Sequence, residues 1–479
     1  MMWMLVSSAL AASVQLSPGD DVATRTAALQ PGDEVVFSAG TYSLAGPVTW
    51  AGLGTASAPI VIRGDGDVVL ELQAGWVVVY MTASTFVEIR NLTFRGGAGN
   101  SEGYTGLYID NSSDITIEDV EVGPVSGTAL VLSGNNARIH VSRAHLHDTT
   151  DGNGVYAGCS DASCWTEDST FSNLWIHDIG GESNGFELEP GCQGVTLADS
   201  VVYRATAWGI VTDSAEYGER NTVEGNAVWE TTSGGIYSRG SALIRNNLVF
   251  NSAGVGMRLS DGDRGTAQDT VVSFNTIADT TGSAVEIHDW AGYTGMVFAN
   301  NVIANPTGRA LYFNEVGYDD ATLLTHNVVT GLVDGLSDTY AGAPDPVWDG
   351  GGYHDFVDVE GWDFYPIGGA SMVDAADPAA ATYVPELDFN GAPRDGEKPD
   401  AGAYEWDGGS NPGWALQEGF KDLEAYGASN DDVQGGCCED KEPGGGEAAL
   451  IGLAGLGWAL RRGRVRSRAR ALSREPGIR

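Results

Sequence analysis

Gly185-Phe-Glu-Leu-Glu189, Gly209-Ile-Val-Thr-Asp213, Gly235-Ile-Tyr-Ser-Arg239 and Gly256-Met-Arg-Leu-Ser260 repeat one short pattern: small, apolar, any, apolar or small, polar. Upstream it reads Gly106-Leu-Tyr-Ile-Asp110, Ala129-Leu-Val-Leu-Ser133 and Gly154-Val-Tyr-Ala-Gly158. Downstream it continues as Ala284-Val-Glu-Ile-His288 and Ala310-Leu-Tyr-Phe-Asn314. The lead residues stand 23, 25, 31, 24, 26, 21, 28 and 26 apart. Nine copies at so even a spacing mark a repeat architecture, in which no unit can bury its apolar face alone.

Between the copies lies a second pattern built on Asn: Asn91-Leu-Thr-Phe, Asn173-Leu-Trp-Ile, Asn226-Ala-Val-Trp, Asn247-Leu-Val-Phe, Asn275-Thr-Ile-Ala and Asn301-Val-Ile-Ala. A third short strand precedes it, as in Ile115-Thr-Ile-Glu and Thr270-Val-Val-Ser. Each repeat therefore reads as about three strands joined by tight turns. Coils of such strands stack at ~4.8 Å, each hydrogen-bonded to the coils above and below. Alternate side chains enter a common core and the others face out. Inward Asn residues are expected to form hydrogen-bonded ladders from coil to coil. A Gly or Ala opening a strand suits a place where backbone crowds backbone.

Over roughly residues 35–340 this pattern resembles the right-handed parallel β-helix of the pectate-lyase-like superfamily. The resemblance implies an all-β, single-stranded solenoid and a polysaccharide as ligand, although this scaffold carries many functions. The expected divisions are a signal peptide (1–12), an N-terminal cap and first coils (13–86), the β-helix repeats (87–340), a C-terminal cap (341–406), a Gly-rich acidic linker (407–446) and a sorting tail (447–479). A short helix over Asp21–Gln30 is expected to close the N-terminal end, with an irregular cap at the other. Gly40-Thr-Tyr42 and residues 54–62 resemble the opening coils of polysaccharide lyases and epimerases. Asp388–Arg394 and Pro399–Glu405 resemble a closing motif of bacterial surface β-helix proteins.

The two ends read as addresses. MMWMLVSSALAA at 1–12 fits a secretory signal, although its basic leader is missing. Near the C-terminus come Cys437 and Cys438, then an apolar run at 448–460, short for a membrane span, then an Arg cluster at 461–470. This order resembles the MYXO-CTERM sorting signals, and implies cutting near Cys437 or Cys438 after a passing membrane attachment, with display at the cell surface. The doubled Cys and the long run past the Arg cluster depart from that pattern. Export permits one disulfide among Cys159, Cys164 and Cys192, without fixing the pair. The chain carries 65 Asp and Glu against 25 Lys and Arg, a net charge of −40. Such a surface repels nucleic acid, suits Ca²⁺ or a salty medium, and equally serves solubility alone. A monomer is expected.

Reading the repeats as stacked coils gives two outward columns. One runs Tyr108, Val131, Tyr156, Glu187, Val211, Tyr237, Arg258, Glu286, Tyr312. Beside it runs Asp110, Ser133, Gly158, Glu189, Asp213, Arg239, Ser260, His288, Asn314. Glu189 and Asp213 become neighbours on adjacent rungs. Crowded carboxylates either share a proton, as in acid–base catalysis, or bind a hard cation such as Ca²⁺. Separations near ~5 Å also suit retaining glycoside hydrolysis. The candidate catalytic set is therefore Glu187, Glu189, Asp213, Arg239, Arg258, Glu286 and His288, with Glu189 and Asp213 as candidate Ca²⁺ ligands. Trp208, Tyr237 and Trp290 are candidates to stack on sugar rings. The plainer alternative is a solvated face of compensating charges and packed aromatics.

His145, His147-Asp148 and His177-Asp178 form a second cluster, with Asp151 and Glu182 nearby. The His-Asp pairs occupy equivalent places in consecutive coils, so the imidazoles should stack and either bind a transition metal, act as bases, or serve only as turn residues. No Lys precedes Lys398, and the Asp-Pro-His-Glu and Gly-His-Gly motifs of enzymes on this scaffold are absent. A lyase here would need Arg239, Arg258 or His288 as base. Two functions remain open: a surface β-helix that binds extracellular polysaccharide, or a lyase or hydrolase acting on acidic polysaccharide over residues 185–290.

Overall fold

The computed structural model describes residues 12–96, 104–214, 218–261, 267–338, 340, 342, 346–377 and 383–423. Residues 424–479, which hold the expected sorting signal, lie outside the described residues. The signal peptide, up to residue 11, lies outside them too.

The chain is an all-β parallel solenoid of about eleven turns. Among the described residues 33 strands join into one continuous sheet, and Phe356–Asp358 and Asp363–Pro366 form a separate antiparallel pair. The expected column of middle residues is the observed register. Tyr108 pairs with Val131, then come Tyr156, Glu187, Val211, Tyr237, Arg258, Glu286 and Tyr312, each in register with the next. The column also extends upward through Tyr80 to Thr49 and downward to Asp334.

The lead Gly residues have a direct steric cause. A Cβ on Gly185 would stand 2.5 Å from the Gly209 carbonyl oxygen, and one on Gly256 at 2.5 Å from that of Ala284. Each coil's backbone thus sits against the next where the strand begins. The flanking apolar positions, such as Phe186 and Leu188 or Met257 and Leu259, fill one core running from Leu16 to Val329.

Asn residues do form an interior ladder. Asn226 Nδ2 donates to Asn247 Oδ1 at 3.0 Å, Asn247 to Asn275 at 2.9 Å, Asn275 to Asn301 and Asn301 to Asn327 at 3.0 Å each. Asn91 and Asn173 are not in it. They hold φ of 54° and 50°, at the bend one residue earlier. In register, Ala227 lies below Val201 and Trp175, which places Asn226 level with Leu174 rather than with Asn173. Asn is favoured at both places, as a left-handed bend residue and as an inward amide, so the letter alone does not separate them.

The N-terminal helix is Val22–Thr26, capped by Asp21, whose carboxylate accepts from the Thr24 amide. The C-terminal part behaves differently from a cap followed by a linker. Phe356, Phe364, Tyr365, Phe389, Tyr404 and Trp414 pack along the side of the solenoid against Val201, Tyr203, Trp229, Phe250 and Val328. Residues 407–423 belong to this strap. Trp414 is buried, and the fully buried Lys421 ammonium donates to Asp199 at 2.8 Å and to the Gly225 carbonyl at 2.7 Å. Gly and acidic residues made this stretch read as solvated linker, whereas its few large side chains anchor it.

Cys159 and Cys164 form the disulfide. Cys192 is free and buried, and burial pushes its thiol up to about 12. It is a core residue without reactive thiolate.

Candidate functional site

On the face carrying the repeat, Glu187, Tyr237, Arg258 and Glu286 occupy the middle column, and Glu189, Asp213, Arg239 and His288 follow the ends of the same strands. Backbone hydrogen bonds from Glu189 to Ala157, Asp213 to Leu188, Arg239 to Thr212 and His288 to Leu259 carry the second column from coil to coil. The structure therefore brings the sequence-derived charged set together, on or just after five successive stacked strands.

Burial sorts these groups more sharply than the idea of an open charged face. Glu189, Asp213 and Glu286 are buried, and Glu187, Arg239, Arg258 and His288 are half-buried. Val131 and Val211 of the middle column are buried as well. Arg239 lies 3.6 Å from Glu187 and 3.4 Å from Asp213. Its guanidinium thus supplies positive charge beside Asp213, where the sequence reading placed Ca²⁺. Its Nε and Nη2 are nonetheless buried without a hydrogen-bond acceptor in good geometry. Glu187 also accepts from Asn153 Nδ2 at 2.7 Å.

Two carboxyls on this face are tuned in opposite directions. Burial, with the charge of Glu187 beside it, raises Glu189 above the ordinary glutamate value, against Arg239 and a hydrogen bond with Tyr156. Burial would raise Glu286 too, but hydrogen bonds from Arg258 and Ser283 and the neighbouring charges hold it below that value. Arg258 reaches Glu286 at 2.8 Å, Arg309 at 3.3 Å and His288 at 3.4 Å. The guanidiniums around Glu286 therefore favour its ionised form, whereas burial disfavours that of Glu189.

Aromatic rings accompany the charges. Trp208 and Tyr237 lie 4.9 Å apart, with Arg258 over Trp208 at 5.6 Å and Arg239 over Tyr237 at 5.6 Å. Trp290 does not join them. It is 1% exposed and packed in the main core, with no ring face for a ligand. An aromatic group that escaped the sequence reading sits higher on the same face: Trp76, 50% exposed, touches Tyr80 and Tyr108 at 5.5 Å each. Tyr80 follows an unbroken Val run without a Gly lead, which hid it from the repeat pattern. Arg309, stacked on Tyr312 at 4.1 Å, was hidden likewise, because it precedes its lead residue.

The histidine cluster lies on another face of the solenoid, on a different set of stacked strands. His147 is in register with His177, and His145 with Glu121 above and Trp175 below. Asp151 and Glu182 are exposed at turns and stay outside the cluster. A cleft of about 540 Å³ adjoins it, lined among others by Glu121, Arg143, His145 and Phe420. Another, of about 650 Å³, lies at the lower end of the repeat face beside Tyr312 and Asp334.

A family model for right-handed β-helix regions matches residues 77–244. No curated protein matches the chain in sequence. Among solved structures, the A-module of a mannuronan C-5 epimerase from Azotobacter vinelandii is similar at 16% identity and a TM-score of 0.51, over 65% of this chain and 91% of that one. A pectate lyase is similar at 14% identity and a TM-score of 0.49, over 83% and 97%. At such identities the likeness is one of fold. Among the described residues no helix is long and apolar enough to cross a membrane.

Proposed function

We propose that this protein is an exported, surface-displayed β-helix that binds extracellular polysaccharide along its repeat face. The observation that carries the reading is the half-buried ring pair of Trp208 and Tyr237, 4.9 Å apart, with the partly exposed guanidiniums of Arg239 and Arg258 over the rings. A sugar hydroxyl or carboxylate accepts from the exposed edges of those guanidiniums while its ring packs on the aromatics. Around the ring pair, Arg258 and Arg309 alternate with Glu187, Asp213 and Glu286, so the surface offers donors and acceptors in turn. That alternation suits neutral saccharide hydroxyls, and a chain of net charge −40 disfavours polyanions, nucleic acid included, unless a cation intervenes. The fold neighbours named above include an epimerase acting on mannuronan, which is consistent with a saccharide ligand.

A second reading rests on Glu189, raised by burial and hydrogen-bonded to Tyr156. A carboxyl raised above its ordinary range next to a phenol is suited to general acid catalysis, in a lyase or hydrolase. The test is to incubate the full chain with a panel of neutral and uronic-acid polymers, with and without Ca²⁺, reading binding, 235 nm absorbance and reducing ends. Binding without turnover, lost in Arg239→Ala, supports the binder. Turnover abolished by Glu189→Gln supports the enzyme. Silence in every arm contradicts both. Display at the surface is tested by the mass of the cell-associated protein, which should end near Cys437 or Cys438, and by its retention full-length when both are changed to Ser.

A further inference from the structure

We propose that His145, His147 and His177, with Glu121 as fourth donor, bind one divalent first-row transition-metal ion of the zinc class on the flank of the solenoid. The site is separate from the saccharide face and does not depend on it. One nitrogen from each of the three rings lies within 4.8 Å of one from each other ring. Tetrahedral bonds of ~2.0–2.1 Å put such donors about 3.3 Å apart, so the cluster is near that spacing already. His145 Nε2 lies 2.8 Å from His177 Nε2, and Glu121 Oε1 lies 3.2 Å from His147 Nε2. His145 is stacked on His147 at 4.1 Å, so binding one ion requires these rings to turn out of the stack until their in-plane lone pairs converge.

The groups behind the rings match what a metal site requires. Asp148 Oδ2 stands 2.8 Å from His147 Nδ1, and Asp178 Oδ2 2.7 Å from His177 Nδ1. At His177 the carboxylate favours the proton on Nδ1 and turns the Nε2 lone pair toward His145, the arrangement that orients and strengthens imidazole ligands, whereas His147 lies between Asp148 and Glu121 and gives up its Nε2 proton when it binds an ion. At 2.8 Å the His177 lone pair and His145 Nε2 form a hydrogen-bonding pair when His145 carries its proton on Nε2. A shared proton or a cation must sit between them. Arg204 fixes Asp178 through two contacts of 2.7 Å. Glu121 is half-exposed and borders the cleft of about 540 Å³, which gives an ion a way in. Three imidazole nitrogens with one carboxylate favour zinc, copper or nickel over calcium or magnesium.

The experiment titrates Co²⁺ into the chelator-treated, tag-free full chain and follows the visible d–d bands, then displaces Co²⁺ with Zn²⁺. One equivalent with nitrogen-rich bands, displaced by Zn²⁺, is expected. His145→Ala and His177→Ala should each abolish it, and Asp148→Asn should weaken binding ~10–100-fold, with the far-UV spectrum unchanged. Should either alanine variant fail to fold, His145→Gln on the half-buried ring carries the same expectation. The proposal is overturned by no displaceable equivalent, by one that survives the histidine variants, or by thiolate charge-transfer bands pointing to Cys437 and Cys438 instead.

Discussion

Glu189 shows how one residue on a regular scaffold acquires individual chemistry. Its register position is the same as those of Asp213 and Arg239, yet burial and Glu187 raise its carboxyl above the ordinary glutamate value. A native pKa above the unfolded value means that ionisation costs stability. That cost is absent below the unfolded value of 4.5 and grows as pH rises through the native one. Glu189→Gln should therefore stabilise the fold more at about pH 7 than at about pH 4, read from urea midpoints. A difference constant with pH would show that Glu189 is not strained by its charge. The charged residues of this site were legible in sequence because their column follows directly from the repeat length. Their burial was not, since it depends on what the turns between the strands cover. Trp290 illustrates the same gap: it lies two residues past His288, but points into the core.

At the scale of the element, the amide ladder and the close approach at the lead Gly residues hold successive coils in register. Asn275 donates Nδ2 to Ile244, Ser273 and Asn301, and its Oδ1 receives the backbone N–H and the side chain of Asn247. Asn275→Ala strands these buried partners and should cost about 2–4 kcal/mol in urea unfolding. Asn91→Ala, at an exposed bend with φ of 54°, should cost about 1 kcal/mol. Equal losses would mean that the ladder contributes nothing beyond turn conformation. The strands and their period were readable from the Gly-led motif, because a missing Cβ leaves a mark in sequence. Which Asn turns inward was not, because the bend and the ladder ask for the same residue type one position apart.

For the whole molecule, the strap over the flank is the feature least visible in sequence. Arg394 is fully buried, donating to the carbonyls of Asp400, Gly402 and Ala403 and to Asn246 of the solenoid, beside Glu405 at 3.3 Å. Its motif was recognisable as a closing element, but not as one that closes along the side. Arg394→Ala leaves Asp388 and Glu405 without their buried counter-charge and should cost about 3–5 kcal/mol. Release of the strap would uncover Tyr203, Trp229 and Phe250, so the variant should bind a hydrophobic dye at urea concentrations where the native chain does not.

That the repeat face is one continuous ligand surface is tested most directly by hydroxyl-radical footprinting with a saturating bound polysaccharide. Protection is expected together at Trp208 and Tyr237, and at Trp76 once the saccharide is long enough to reach the upper coils. The exposed Trp165 and Trp348, away from that column, should remain reactive. Protection of Trp165 or Trp348 while Trp208 and Tyr237 stay reactive would contradict the account.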